Sequence, residues 1–221
     1  INTDGTINSV VSANQAAGFS IVNYTGNGTS GATYGHGLNA APELILNKVL
    51  NYDQSWWAFT PTLGANKFMQ LNTTAVTTTD SDYYYSVSSS LFTLNGPANP
   101  PALNQSGKNY ITYNFTSIAG YSKVGSFSGS GSSGNFQNIG FTPTWIMIKA
   151  YQGGGSDWYI LDNKRPGGNT TREFLGANLS GATYNASETN AMQFVTNGFQ
   201  FGGSSFNTSG YDYIYLAIKE N

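Results

Sequence analysis

Cysteine is absent from the 221 residues, which removes disulfides, thiolate zinc sites and cysteine nucleophiles together. Histidine occurs once, as His36, too few for a histidine zinc site and dependent on tertiary chance for a triad. Charge is almost as scarce, with nine basic and eleven acidic residues making up 9% of the chain where roughly 25% is usual. The basic residues are scattered singly and the net charge is −2, so no cationic face is expected that could release counterions from a nucleic acid or hold an anionic membrane. Nucleic-acid and membrane partners are therefore not expected. No apolar run approaches the roughly 18–20 residues that span a bilayer. The opening Ile1-Asn2-Thr3-Asp4-Gly5 lacks both a Met and the features of a signal peptide, which suggests a processed product or a piece of a longer protein.

Glycine, serine, threonine and asparagine take the place of charge, so the surface is expected to be wetted by hydroxyls and amides. Phe, Tyr and Trp number 32, enough to build the core of a small sandwich in each half of the chain. Asn-x-Ser/Thr triplets, among them those at Asn27, Asn104 and Asn207, are expected by chance in such a composition and are not taken as glycosylation signals.

The chain repeats itself. Gly18-Phe19-Ser20 returns at Gly120 to Ser122, Tyr24 to Gly31 at Phe127 to Gly134, and Pro42 to Lys48 at Pro143 to Lys149, at offsets of 102, 103 and 101. Such self-similarity decides architecture ahead of any local pattern. Residues 1–17, small and polar, are expected to be a linker. Phe19 to Tyr24 and Tyr121 to Phe127 are expected as strands, each closed by a hairpin turn at Thr25 to Gly28 or Gly129 to Gly134. Leu44 to Leu46 and Trp145 to Ile148 are expected as strands covered on both faces, ending at Lys48 and Lys149 as solvated strand ends. In the next match Trp57 aligns with Trp158 and Trp56 with Asp157. Successive strand residues face opposite sides, so Trp57 and Trp158 are expected in the core and Trp56 outside it.

The copies diverge at Lys67 to Leu71 and Arg172 to Gly176, which are expected as surface loops, as are Asp82 to Tyr85, the Pro-bearing Asn95 to Pro101, and Gly153 to Gly155. Each half closes on a strand, Asn109 to Phe115 and Asp212 to Ile218, with Ile111, Tyr113, Phe115 and their counterparts Ile214, Leu216, Ile218 expected to face the core. No segment carries a capped helical period. The expected fold is all-β, two tandem antiparallel β-sandwich repeats at 18–119 and 120–221.

No acid, base or nucleophile stands in a recognisable constellation, so no catalytic residue, metal site or cofactor is expected. Neither the carboxylates nor the pair Asp80 and Asp82 have a telling spacing, and the Gly129 to Gly134 run lacks the Lys and helix of a phosphate loop. The candidates for ligand or interface contact are Trp56, Tyr83, Tyr84 and Tyr85, whose rings could stack on a sugar or fill a protein pocket.

The composite of Gly18 to Gly28, Gly35-His36-Gly37-Leu38, Gly140 to Lys149, Trp158 to Asp162 and Tyr213 to Ala217 resembles the duplicated β-rich domain of large virion-associated proteins of tailed bacteriophages, notably phages of marine bacteria. The resemblance covers nearly the whole chain. It implies a non-enzymatic structural or adhesion module outside the virion, in a tail fibre, tail tip or capsid decoration. The partners it implies are other virion proteins or copies of itself in a homo-oligomer. A carbohydrate-binding module for host cell-surface glycans is the alternative expectation.

Overall fold

The computed structural model describes residues 1–80, 83, 85–94, 103–171, 173–186 and 191–220. The fold is all-β: among the described residues helix is confined to short 3-10 turns, at Gln15–Ala17, at Pro61–Leu63 and at Tyr83. Residue contacts divide the chain into two compact units, Ile1–Leu71 with Thr77–Thr116, and Asn72–Val76 with Ser117–Asn221.

The first unit holds β1 (Ser9–Asn14), β2 (Phe19–Thr25), β3 (Ala32–Gly35), β4 (Leu44–Val49), β5 (Trp57–Phe59), β6 (Lys67–Gln70), β7 (Thr78–Thr79), β8 (Tyr85–Val87), β9 (Leu91–Leu94) and β10 (Asn109–Phe115). One antiparallel sheet has the order β1-β2-β10-β4-β5-β6-β7 and the other β3-β9-β8. The second unit holds β11 (Ser122–Ser128), β12 (Phe136–Asn138), β13 (Trp145–Gln152), β14 (Tyr159–Asp162), β15 (Thr170–Thr171), β16 (Glu173–Gly176), β17 (Tyr184–Asn185), β18 (Met192–Val195), β19 (Gly198–Phe201) and β20 (Asp212–Ile218). Its sheets run β11-β20-β13-β14-β16-β17 and β12-β19-β18-β15. The strand order of one unit thus recurs in the other, with β1 and β15 as additions.

Several elements differ from the sequence reading. The lead-in is not a bare linker, because Ser9–Asn14 pairs residue for residue with Phe19–Thr25 as an edge strand. The turns after β2 and β11 are corners and not hairpins, since β2 and β3, like β11 and β12, belong to different sheets. A buried asparagine pins each corner. Asn104 Oδ1 accepts from the Asn27 N–H at 2.9 Å while its amide donates to Thr29 O at 2.8 Å. Asn207, 103 residues on, accepts from the Ser130 N–H at 2.9 Å and donates to Ser132 O and Gly203 O at 2.9 and 2.8 Å. The divergent Lys67–Gln70 and Glu173–Gly176 are paired strands and not loops. Arg172 and Asn95 to Pro101 lie outside the described residues.

The closing strand of the first unit turns its other face inward. Tyr110, Thr112 and Asn114 are fully buried, while Ile111, Tyr113 and Phe115 are only half-buried. The core they meet is a column of nearly parallel rings, Tyr110 on Tyr24 at 5.0 Å, Tyr24 on Tyr34 at 4.4 Å, Tyr34 on Phe92 at 5.3 Å and Phe92 on Tyr85 at 5.6 Å. Phenol groups buried in such a column need partners. Tyr24 donates to Leu103 O at 2.6 Å, Thr112 Oγ1 lies 3.5 Å from the Tyr34 hydroxyl, and the Gln105 N–H donates to Tyr110 at 2.9 Å. Thr112 thus faces in beside a ring hydroxyl, and Asn114 donates to Thr112 Oγ1 and to Ser20 Oγ, both at 3.2 Å. In the second unit the corresponding face of β20 is Tyr213, Tyr215 and Ala217, and it joins the core, while Ile214 and Leu216 on the opposite face are buried as well.

Candidate functional site

The structure separates the four residues expected to contact a ligand or an interface. Tyr83 and Tyr85 are buried, Tyr83 against Trp57 and Phe68 at 4.9 and 4.6 Å and Tyr85 against Phe59 at 4.9 Å. They belong to the first core. Tyr84 lies outside the described residues. Trp56 is half-buried, its ring 6.1 Å from that of Tyr113, whereas Trp57 belongs to the first core as expected; Trp158 is buried too, but beside Lys149 and apart from the second core cluster.

His36 is also buried: its Nε2–H donates to Ser88 O at 3.1 Å and its Nδ1 accepts from the Leu38 N–H at 3.2 Å. Burial lowers its pKa, the Ser88 carbonyl opposing, and holds the ring neutral. Among the described residues no group of three or more His, Asp or Glu side chains gathers where a metal could sit.

Another place in the molecule has the form of a site. In the second unit a cavity of about 370 Å³ is lined by Gly155, Ser156, Tyr159, Phe174, Asn185, Ala186, Ser204, Ser205, Phe206, Thr208, Tyr211 and Tyr213. It lies where β13 ends and where β14 and β20 begin, with β16 and β17 along one side. Tyr159, Phe174 and Phe206 meet edge to face, with centroids 5.0 to 5.1 Å apart, and Tyr184 on β17 stacks on Phe174 at 5.5 Å. Burial, assisted by the nearby Asp157 carboxylate, raises the Tyr159 pKa, so its hydroxyl keeps its proton at neutral pH. The three glycines before the wall make room: a Cβ on Gly154 would lie 2.1 Å from the Tyr211 hydroxyl oxygen and one on Gly155 2.7 Å from Thr74 O.

A buried cation supports that wall from behind. Lys149, expected as a solvated strand end, is 0% exposed. Its ammonium donates to Ser156 O at 2.5 Å and to Thr73 O at 3.3 Å and lies 5.7 Å from the centre of the Trp158 ring. The Ser156 N–H in turn donates to Thr74 O at 3.1 Å, so residues 72–76 are held against the loop that forms the pocket wall. The counterpart Lys48 is half-buried and donates to Gln54 O.

A family model described as a domain of unknown function, DUF7483, matches residues 1–221. The chain belongs to this family. No curated protein and no solved structure matches it. The pocket of this DUF7483 domain escaped the sequence reading because its walls come from five separated segments. One signal was available: where the copies align, Phe206 stands opposite Leu103 and Tyr211 opposite Lys108, while the strand registers match Tyr159 with Trp57. At Phe206 and Tyr211 the second copy has a ring where the first has none.

Proposed function

We propose that this DUF7483 domain is a non-enzymatic adhesion module on the exterior of a bacteriophage particle, in a tail fibre, tail tip or capsid decoration, which binds through the pocket of its second unit. The observation that carries this reading is the pocket's lining, which among the described residues consists of rings, hydroxyls and amides without a charged side chain. Such a lining suits holding a ligand; proton transfer calls for tuned acids and bases. The setting outside a cell is supported by the composition, free of cysteine and wetted by uncharged polar groups. The module works beside other virion proteins or copies of itself, as a homo-oligomer, and its target is the host cell surface.

Immunogold labelling of intact particles with an antibody against residues 18–221 tests the placement. Gold at fibre tips or the tail end is the expected result. Even labelling of the capsid makes the protein a decoration and overturns adhesion by the tail, and unlabelled particles overturn the virion assignment altogether.

A further inference from the structure

Resting on that adhesion reading, we infer that the pocket of the second unit takes a neutral saccharide, a hexopyranose or a short uncharged chain of them. Tyr159, Phe174, Phe206 and Tyr211 form its apolar walls and Asn185, Ser205 and Thr208 its hydrogen-bonding rim.

Size comes first. At about 370 Å³ the cavity is at the small end of the range, roughly 300–1,000 Å³, in which ligand pockets fall. Electrostatics then narrows the class. Among the described residues no lining side chain carries a charge, so a phosphate, sialate or uronate would leave water with none of them to supply a counter-charge. Polarity narrows it from the other side. A wholly apolar ligand would strip water from the rim hydroxyls and from the exposed Asn185 amide and return no hydrogen bond. A pyranose answers both demands, with an apolar C–H face for the rings and hydroxyls around its edge for the rim.

Backbone strain gives independent support. Phe206 has φ +57°, the left-handed region that a bulky side chain rarely enters and that clusters at ligand clamps. This conformation sets its ring 5.0 Å from Tyr159 and 5.1 Å from Phe174. The contrast between the copies points the same way. Leu103 and Lys108 of the first unit align with Phe206 and Tyr211, so the second copy carries rings at two places of the pocket where the first has none.

The test is saturation-transfer NMR on the full chain with glucose, galactose, mannose, N-acetylglucosamine and their neutral disaccharides, against sialic and glucuronic acids and an aromatic dipeptide. At least one neutral sugar should give a signal. Tyr211→Ala should weaken its binding roughly tenfold by removing one ring, and Asn185→Arg, on the exposed rim where the fold tolerates it, should block the pocket. Equal signals from the acidic sugars or the dipeptide would overturn the neutral-saccharide class. A sugar signal unchanged in Asn185→Arg would overturn the location. If no sugar binds while the same chain on beads still adheres to host cells, the saccharide inference falls and adhesion stands.

Discussion

Lys149 makes the stability of the second unit depend on pH in an unusual direction. Burial pulls its pKa from 10.5 down to about 8 against the opposing pull of Asp157, so at neutral pH the fold carries a charged ammonium that water would hold better. Each tenfold loss of proton affinity corresponds to about 1.4 kcal/mol, which puts the cost of keeping Lys149 charged on the order of 3 kcal/mol. The unfolded chain binds this proton up to a higher pH than the folded one, so between the two pKa values stability rises with pH. From about pH 7 to about pH 9.5 the gain is about 2 kcal/mol. Buried tyrosines act in the opposite sense: burial raises Tyr24 well above the usual phenol range and Tyr110 to about 12, and they lower stability above about pH 10. The window below that is clean. Urea denaturation followed by tryptophan emission across it should show the midpoint moving upward. In Lys149→Met the slope should vanish. At about pH 7 this variant should lie near the wild type, because the removed desolvation cost offsets about 1–3 kcal/mol for each carbonyl, of Thr73 and Ser156, that loses its donor. A wild-type midpoint that is flat or falls from about pH 7 to about pH 9.5, with Lys149→Met tracking it, would refute the buried-cation argument.

Two more outcomes follow from buried polar groups. Asn207→Ala should destabilise the protein by about 3 kcal/mol or more, since it orphans the Ser130 N–H and the Ser132 and Gly203 carbonyls inside the second corner; a denaturation midpoint shift worth under about 1 kcal/mol would mean that water replaces the side chain. His36 is a base whose folded pKa is lowered, by burial first, so stability should be lost as pH falls below about 6.5, where the unfolded imidazole takes up its proton first; an NMR titration giving His36 a pKa above that of a free imidazole would contradict this.

The internal repeat read from the sequence made the architecture legible: offsets near 102 located equivalent strands. The alignment of Trp57 with Trp158 is one residue out, since Trp56 O accepts from the Leu71 N–H as Trp158 O does from the Ala177 N–H and the strand registers match Trp57 with Tyr159. What stayed hidden has a common cause. Alternation showed that Asn109–Phe115 is a strand, but the apolar-looking set Ile111, Tyr113, Phe115 was assigned to the core because hydrophobicity ignores what a ring carries. The actual core is lined with phenols, and Thr112 and Asn114 supply the polar atoms found there. Tyr83 and Tyr85 were misplaced for the same reason, as were the corners, whose Gly and Asn signal a turn but not whether it stays within one sheet. The pocket was beyond reach of any local pattern, since Gly155, Tyr159, Phe174, Asn185 and Tyr211 are brought together only by folding.

The two copies also show how a duplicated scaffold can specialise at little cost to its fold. The elements that hold each unit are matched: strand order, the corner asparagines Asn104 and Asn207, and the tyrosines Tyr110 and Tyr213, each accepting from the N–H five residues earlier at 2.9 and 3.0 Å. Residues that differ around the cavity include Phe206 and Tyr211 on the approach to β20, rings where the first copy has Leu103 and Lys108. Substitutions at a partly open rim disturb little packing, whereas a change to the corner asparagine leaves several buried groups unpaired. Selection acting on two such units therefore has freedom at the rim and almost none at the corners, and rings at Phe206 and Tyr211, opposite Leu103 and Lys108, beside matched corners are the pattern that a binding site on one of two equivalent frameworks should leave.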